Sequence, residues 1–194
     1  MSALEKAVFV SPYEYIRSER KAEEKRDYLN GQIVAMAGGT YNHNMIQSNV
    51  TFQLRGALRD RPCVDFTSDM KVRIEKANQF RYPDAFALCG DIDFFDETKD
   101  AVCNPQMIVE VLSPSTEKTD RTDKFAMYRL IDSFSEYLLL SQGKVEAELY
   151  QKDESGSWKG ESFEDADTVI HLKSIDVSLR LGDLYDKVDF TDAG

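Results

Sequence analysis

Two carboxylates of this sequence stand inside short runs that otherwise have the composition of buried β-strand. Asp84 belongs to the run RYPDAFALC, and Glu110 belongs to the run QMIVEVL. Carboxylates are seldom enclosed in a protein core without a partner, because removing an isolated charge from water is very costly. A lysine, Lys124, follows on the next predicted helix. Two acids and a lysine are groups that can hold a hard cation over a phosphate ester, so the pattern predicts a phosphodiester-cleaving site.

The cation that this set of ligands predicts is Mg²⁺ or Mn²⁺. Magnesium takes oxygen ligands in near-octahedral geometry, keeps several water molecules, and often uses only one or two protein carboxylates. We expect Asp84 and Glu110 to be the carboxylate ligands, with the main-chain carbonyl of Val111 as a further ligand. The ammonium group of Lys124 would orient the attacking water and offset charge that develops on the phosphate oxygens.

The helix that carries Lys124 places three polar side chains on one face, because Asp120, Lys124 and Tyr128 are four residues apart. We expect Asp120 to hold the ammonium group and Tyr128 to pack beside its aliphatic stem. The alternative is an ordinary exposed Asp–Lys pair, which stabilises a helix by only about 0.3–0.5 kcal/mol. The spacing alone fits both interpretations.

The elements that must position these residues are those of an α/β protein with helices packed on a sheet. Ser11-Pro12 predicts the start of a helix over 11–26, and Asn30-Gly31 predicts a hairpin turn. Apolar residues at steps of four predict a helix over 42–59. Strands are expected over 64–74, 82–88, 106–112, 136–141, 144–151, 158–163, 168–172 and 177–179, and further helices over 119–131 and 181–185.

The predicted strand 106–112 makes the position of Glu110 unusual. Side chains alternate between the two faces of a strand, so Glu110 shares its face with Ile108 and Leu112. An acid among apolar neighbours is unexpected unless a ligand compensates its charge. If the strands 82–88 and 106–112 are neighbours in the sheet, Asp84 and Glu110 meet at one end of it.

The overall composition argues against a protein that grips duplex DNA through a large basic face. The chain of 194 residues carries a net charge of −11, with a pI of about 4.7. Three cysteines, an odd number without a CxxC pair, predict neither a disulfide framework nor a zinc site, and favour a reducing cytoplasm. The sequence contains no apolar run of the ~20 residues that a membrane span requires and no evident signal peptide.

The motifs together resemble the Uma-type family of restriction endonucleases, a branch of the PD-(D/E)XK nuclease superfamily. The resemblance covers roughly residues 10–190 of the chain. The residues that carry it are DYLNGQIVAMAGG at 27–39, HN at 43–44, YPD at 82–84, VEVLSPST at 109–116, D-x-x-x-K-x-x-x-Y at 120–128 and EYLLL at 136–140.

The resemblance implies an α/β fold with a restriction-endonuclease-like αβββαβ core, a mixed sheet, an N-terminal helix and hairpin, and extra C-terminal strands. We expect one domain over 1–194. Within it, the helix and hairpin extension would span about 11–40, the nuclease-like core about 41–150, and the C-terminal strands about 151–190.

The resemblance also implies a Mg²⁺-dependent endonuclease that hydrolyses DNA, with the metal at Asp84 and Glu110. In the wider superfamily the catalytic lysine stands two residues after the acid, a position that Leu112 occupies here. In this family the lysine is displaced to the following helix, which fits Lys124. Asp27 stands where the family more often has glutamate and is expected to contact the metal or a water.

His43 is a weaker candidate at the start of the predicted helix 42–59. It is expected either to touch the scissile phosphate or to hold a carboxylate, and a histidine at that place is as often a helix cap or a packing residue.

Two other classes of function are compatible with the sequence. One is a catalytically silent nuclease fold that binds nucleic acid or a protein partner, which the acidic charge favours. The other is an acidic dimeric scaffold whose carboxylates bind only a structural ion. We expect a homodimer, because enzymes that cut duplexes often pair one site with each strand and two-fold dimers are the commonest assembly.

Overall fold

The computed structural model describes residues 9–36 and 38–191. Residues 1–8, part of the stretch on which the expectation of no signal peptide rests, lie outside the described part, as does Ala37 of the 27–39 motif. The helices are α1 (Pro12–Glu19), α2 (Tyr41–Leu58), α3 (Glu117–Thr119), α4 (Phe125–Tyr128) and α5 (Leu181–Leu184), with a π-helical turn (Asp120–Lys124) between α3 and α4. The strands are β1 (Arg26–Leu29), β2 (Gln32–Ala35), β3 (Cys63–Thr67), β4 (Lys71–Ile74), β5 (Gln79–Arg81), β6 (Ala85–Cys89), β7 (Ala101–Val102), β8 (Met107–Leu112), β9 (Glu136–Ser141), β10 (Ala147–Lys152), β11 (Trp158–Phe163), β12 (Val169–Leu172) and β13 (Val177–Arg180).

The central sheet has the strand order β11-β10-β9-β8-β6-β3 and is mixed, because β8 and β9 run parallel while the other neighbours are antiparallel. Helix α2 packs on one face through the apolar stripe that the sequence predicts, formed by Ile46, Val50, Leu54 and Leu58. The opposite face carries the side chains of Ile108 and Leu112, together with Tyr128 and Tyr137. The sheet therefore separates two cores, and Glu110 lies on the face away from α2.

A second sheet has the order β2-β1-β5-β4-β7 and includes the predicted hairpin. Asn30 and Gly31 form its turn with positive φ angles of 48° and 96°, which is the left-handed backbone that an Asn-Gly turn requires. Helix α1 covers this sheet by packing Tyr15 and Ile16 against Tyr28 and Phe80.

Several predicted elements differ from the structure. The helix expected over 11–26 ends at Glu19, and the chain turns before β1. The run 64–74 is two strands, β3 and β4, which belong to different sheets. The run 82–88 begins as a strand only at Ala85, because Pro83 lacks the N–H that a ladder requires. This interruption leaves Asp84 directly before β6, at the end of the central sheet.

Two of the cysteines contradict the sequence-based expectation, because Cys63 and Cys89 form a disulfide. They are 26 residues apart in sequence, but the antiparallel register sets Cys63 directly opposite Cys89 on β3 and β6. That pairing of strands could not be read from the spacing of the cysteines. Cys103 is free.

Over the described ranges, no helix combines the length and apolar character needed to span a bilayer.

Candidate active site

The strands β6 and β8 bring the two predicted carboxylates together. Ala85 pairs with Val109 in antiparallel register, and one further step of the same register sets Asp84 opposite Glu110. The side chains of Asp84 and Glu110 therefore meet at one end of the central sheet, as the sequence predicts for neighbouring strands.

Asp84 is held by hydrogen bonds from two different elements. On β8, the main-chain N–H of Val111 donates to Oδ2 at 2.7 Å. On α2, Nε2 of His43 lies 2.8 Å from Oδ1, and the side-chain amide of Gln47 donates to the main-chain carbonyl of Asp84 at 3.0 Å. The orientation of this carboxylate is therefore fixed before any ligand binds.

Glu110 is almost completely enclosed, with 2% of its surface exposed. Its Oε2 accepts a hydrogen bond from Nζ of Lys124 at 3.1 Å, and its Oε1 accepts one from the hydroxyl of Tyr128 at 2.9 Å. Burial raises the pKa of Glu110 to about 8, and the charges of Asp84 and Asp120 add to the rise while Lys124 opposes it. The charged form of this carboxyl is therefore poorly compensated by the protein alone.

Lys124 bridges Glu110 and Asp120, because its Nζ also lies 2.7 Å from Oδ1 of Asp120. Burial lowers the pKa of Lys124, but the two carboxylates outweigh that effect and the net shift is upward. The spacing of four residues spans a π-helical turn, and Tyr137 donates to the main-chain carbonyl of Asp120 at 3.1 Å. Single π turns are frequent at functional sites, and this one faces Glu110.

Asp27 lies at the edge of the cluster that Asp84, Glu110, Asp120 and Lys124 form. It is not part of the hydrogen bonds that join these residues. Nη1 of Arg81 lies 2.8 Å from its Oδ2, while its Oδ1 is buried and has no hydrogen-bond partner among the described residues. Its charge contributes to the rise in the pKa of Lys124. The structure therefore places Asp27 close enough to act on the lysine, and its predicted contact with a metal or water stays a prediction.

Two residues that hold the site were not found from the sequence. Gln47 stands one helical turn after His43, and that i, i+4 spacing is the signal that could have identified it. Arg81 gives no such signal, because it lies in a run whose sequence looks like an uninterrupted strand. Tyr128 was expected beside the stem of Lys124, whereas its hydroxyl hydrogen-bonds Glu110.

The charges of the cluster fit a divalent cation. With all its carboxylates ionised, the cluster has a formal charge of −2, from Asp27, Asp84, Glu110 and Asp120 against Arg81 and Lys124. Within the described ranges, no group of three or more His, Cys, Asp or Glu side chains is arranged to hold a metal ion. A cation here would therefore take ligands from Asp84 and Glu110 and complete its coordination with water, which is a normal set for magnesium.

Comparisons with known proteins agree with this architecture. The model of the Uma2 family, described as "Putative restriction endonuclease", matches residues 12–182. Two uncharacterized proteins of Synechocystis sp. are similar in sequence. One is 35% identical over 176 residues, covering 91% of each chain, and the other is 37% identical over 145 residues, covering 75% of this chain and 82% of the relative.

A crystal structure described as a putative nuclease belonging to DUF820, from Anabaena variabilis, superposes with a TM-score of 0.71 at 17% identity. The match covers 91% of this chain and 98% of that one. The predicted α/β class with a restriction-endonuclease-like core is thereby confirmed. Together with the family match, these findings show that the chain belongs to the Uma2 restriction-endonuclease family.

Proposed function

We propose that the protein is a Mg²⁺- or Mn²⁺-dependent endonuclease that hydrolyses phosphodiester bonds of DNA. The observation that carries the proposal is the contact of Lys124 with Glu110 at the point where Glu110 faces Asp84. The fold thus gathers an aspartate, a glutamate and an ammonium group from three separate stretches of chain. When bound, the divalent ion would supply Lewis acidity toward the phosphate.

The residues of the chain have distinct roles in this proposal. Asp84 and Glu110 hold the ion, and the carbonyl of Val111 is a further candidate ligand. His43 and Gln47 orient Asp84 from α2. Lys124, held between Glu110 and Asp120, offsets the negative charge that develops on the phosphate oxygens in the transition state.

A cleft next to the cluster offers room for substrate. It has a volume of about 920 Å³ and lies between the start of α2, the end of β8 and the β9–β10 turn. Its walls include hydroxyl and amide groups of Thr40, Asn42, Ser113 and Gln142, which are groups that commonly contact phosphate and sugar, and also the charged residues Glu117, Lys187 and Asp189. Two of its lining residues, Asn42 and Leu112, are sequence neighbours of His43 and Val111, whereas Asp84, Glu110 and Lys124 do not line the cleft.

A second candidate function is a silent nuclease fold that binds nucleic acid or a protein without cutting. The observation that favours it is the state of Glu110, whose two oxygens are each engaged by a side chain of the protein. In that case the Lys124–Glu110 pair would be a structural ion pair.

Cleavage assays with purified protein separate these candidates. Supercoiled plasmid and single-stranded circular DNA should be nicked with Mg²⁺ or Mn²⁺ and not with EDTA, and Glu110→Ala should abolish nicking while the circular dichroism spectrum is retained. Asp84→Ala should remove the Mg²⁺ binding that titration calorimetry detects. Glu136→Gln is the matched control, because Glu136 is equally buried (1% exposed) at the start of β9 and lies outside the cluster.

Nicking by Glu110→Ala at the wild-type rate would overturn the endonuclease mechanism. Mg²⁺-independent binding of DNA by a folded wild type that never nicks would establish the silent alternative. The proposed homodimer is tested separately by the mass of the protein in solution.

A further inference from the structure

A second groove runs along α2 away from the cluster. It has a volume of about 470 Å³ and is lined by Thr67 of β3 and by side chains of one flank of the helix, namely Asn44, Gln47, Ser48, Thr51, Phe52 and Arg55. The proposed function does not use this groove.

The groove is continuous with the proposed active site through α2. His43, Gln47, Thr51 and Arg55 stand at steps of four, so they follow one flank of the helix. His43 and Gln47 hold Asp84, and Gln47 also lines the groove. A polymer that presents one phosphate at Asp84 therefore has a path along this flank for its neighbouring units.

The polarity of the groove differs from that of the whole protein. The chain has a net charge of −11, yet none of the described lining side chains is a carboxylate. The side-chain donors of Asn44, Gln47 and Thr51 are engaged with main-chain carbonyls of the protein. The lining offers the hydroxyls of Ser48 and Thr67, and the side chain of Arg55, 66% exposed, lies at the rim and pairs with Asp65. These groups accept an anionic backbone without the repulsion that most of the surface would impose.

Phe52 gives the groove an aromatic platform. Its exposed fraction of 75% is the highest of any large apolar side chain in the described part of the chain. It stands nine residues after His43, which is roughly 13 Å along the helix axis. The ring is thus too far away to contact the reacting phosphate. It is placed to contact a base farther along a bound DNA strand.

We propose that the α2 groove binds an unpaired DNA strand next to the cleaved phosphate, with a base stacked on Phe52. Aromatic side chains bind single strands by stacking on bases, and a base is available for stacking only when it is not paired and stacked in a duplex. This inference rests on the proposed endonuclease function and adds a preference for single-stranded or locally opened DNA.

The test is a binding measurement in EDTA, where cleavage does not interfere. Fluorescence anisotropy with labelled single-stranded and duplex oligonucleotides of the same sequence should show tighter binding of the single strand. Phe52→Ala should weaken single-strand affinity about 5- to 160-fold, the range for loss of one stacked base. Phe52→Trp should retain it. Val169→Ala, which truncates another exposed side chain on β12 (60% exposed), is the matched control and should have no effect.

Two variants that each add a carboxylate to α2 test whether the DNA backbone follows the groove. Ser48→Glu introduces a carboxylate into the groove and should weaken single-strand binding roughly fivefold or more, because like charges at contact distance repel even in water. Ala57→Glu adds the same charge to the same helix at an exposed residue outside the lining and should have a smaller effect.

The outcomes distinguish a failure of the groove proposal from a failure of the proposed endonuclease function. Equal single-strand affinity of wild type and Phe52→Ala, or tighter binding of duplex than of single strand, would overturn the groove proposal while Glu110-dependent nicking stands. Absence of nicking by wild type on both plasmid and single-stranded circles would overturn the endonuclease proposal, whatever the Phe52 variants bind.

Discussion

Glu110 and Glu136 are buried glutamates at opposite ends of neighbouring parallel strands. Glu110 stands near the end of β8, and Glu136 begins β9, where it pairs with Met107. Their exposed fractions are 2% and 1%. Burial therefore cannot tell which of them takes part in chemistry, and the difference must lie in what surrounds each carboxylate.

Glu136 is surrounded by neutral hydrogen-bond donors. It accepts the main-chain N–H groups of Lys173 and Ser174 at 2.7 and 2.9 Å, the side-chain amide of Gln151 at 2.5 Å, and the hydroxyl of Ser174. These bonds fasten the β12–β13 turn to the central sheet. A buried carboxylate whose acceptor positions are filled by neutral donors serves structure.

Glu110 has fewer donors and more charges around it. Lys124 and Tyr128 donate to it, while Asp84 and Asp120 lie close enough to raise its pKa. An excess of negative charge in a buried cluster is costly without a ligand. An unsatisfied electrostatic environment, rather than burial itself, therefore marks a site prepared for a cation.

The largest effect is expected when the only cation in contact with Glu110 among the described residues is removed. Lys124→Met leaves Glu110 and Asp120 buried side by side, and breaking such a pair typically costs about 3–5 kcal/mol. Urea unfolding in EDTA should show this loss. Lys144→Met, which removes an exposed lysine (59%) that also contacts two glutamates, should change stability by less than about 1 kcal/mol. Similar losses in both variants would show that the cluster is not electrostatically strained.

Matched amide substitutions should separate the roles of the two glutamates. Glu110→Gln should lower the nicking rate at least about hundredfold, because it removes a carboxylate that the proposed ion needs. It should cost little stability near pH 7 in EDTA, because the raised pKa of Glu110 keeps most of the carboxyl protonated and neutral there. Glu136→Gln should lower the free energy of unfolding by about 1–3 kcal/mol, because its NH₂ group faces N–H donors. Nicking per folded molecule should be unchanged in Glu136→Gln. A loss of stability in Glu110→Gln together with a loss of nicking in Glu136→Gln would contradict the roles assigned to the two glutamates.

The pH dependence of stability sharpens the same contrast. The pKa of Glu110 is about 8 in the folded protein, above its ordinary value of 4.5. The unfolded chain therefore binds fewer protons than the folded one between these values, and stability falls as the pH rises through this range. From pH 6 to pH 8 the loss from this group is about 2 kcal/mol. Denaturant unfolding in EDTA should show a smaller loss in Glu110→Gln than in wild type, and parallel pH curves would contradict the raised pKa.

Much of the fold could be predicted because its signals are local. The stripe from Ile46 to Leu58 fixes α2 within one residue of its bounds, and Asn30-Gly31 fixes the first hairpin. The sequence also predicts that Asp84 and Glu110 meet if their strands are neighbours in the sheet, and β6 and β8 are such neighbours.

The rest depends on contacts between distant stretches of chain. The strand β5 ends in Arg81, which pairs with Asp27 across 54 residues of sequence. The side chain of Gln47 contacts Asp84 only because the fold lays α2 over Asp84. The π-helical turn follows from tertiary contacts around Asp120 and Lys124, because its sequence DRTDK is compatible with an ordinary helix. Local pattern cannot report these contacts.

The smallest expected effect is a difference in the pH dependence of stability between variants of two neighbouring tyrosines. Tyr128 donates to Oε1 of Glu110 at 2.9 Å, and Tyr137 donates to the main-chain carbonyl of Asp120 at 3.1 Å. Both are fully buried, so Tyr128→Phe and Tyr137→Phe should each cost about 1 kcal/mol of stability. Only Tyr128→Phe removes a hydrogen bond that favours the charged form of Glu110, so it alone should raise the midpoint of the pH-dependent loss of stability. Equal midpoints in the two variants would mean that the hydroxyl of Tyr128 does not stabilise the ionised glutamate, and that Lys124 alone compensates it.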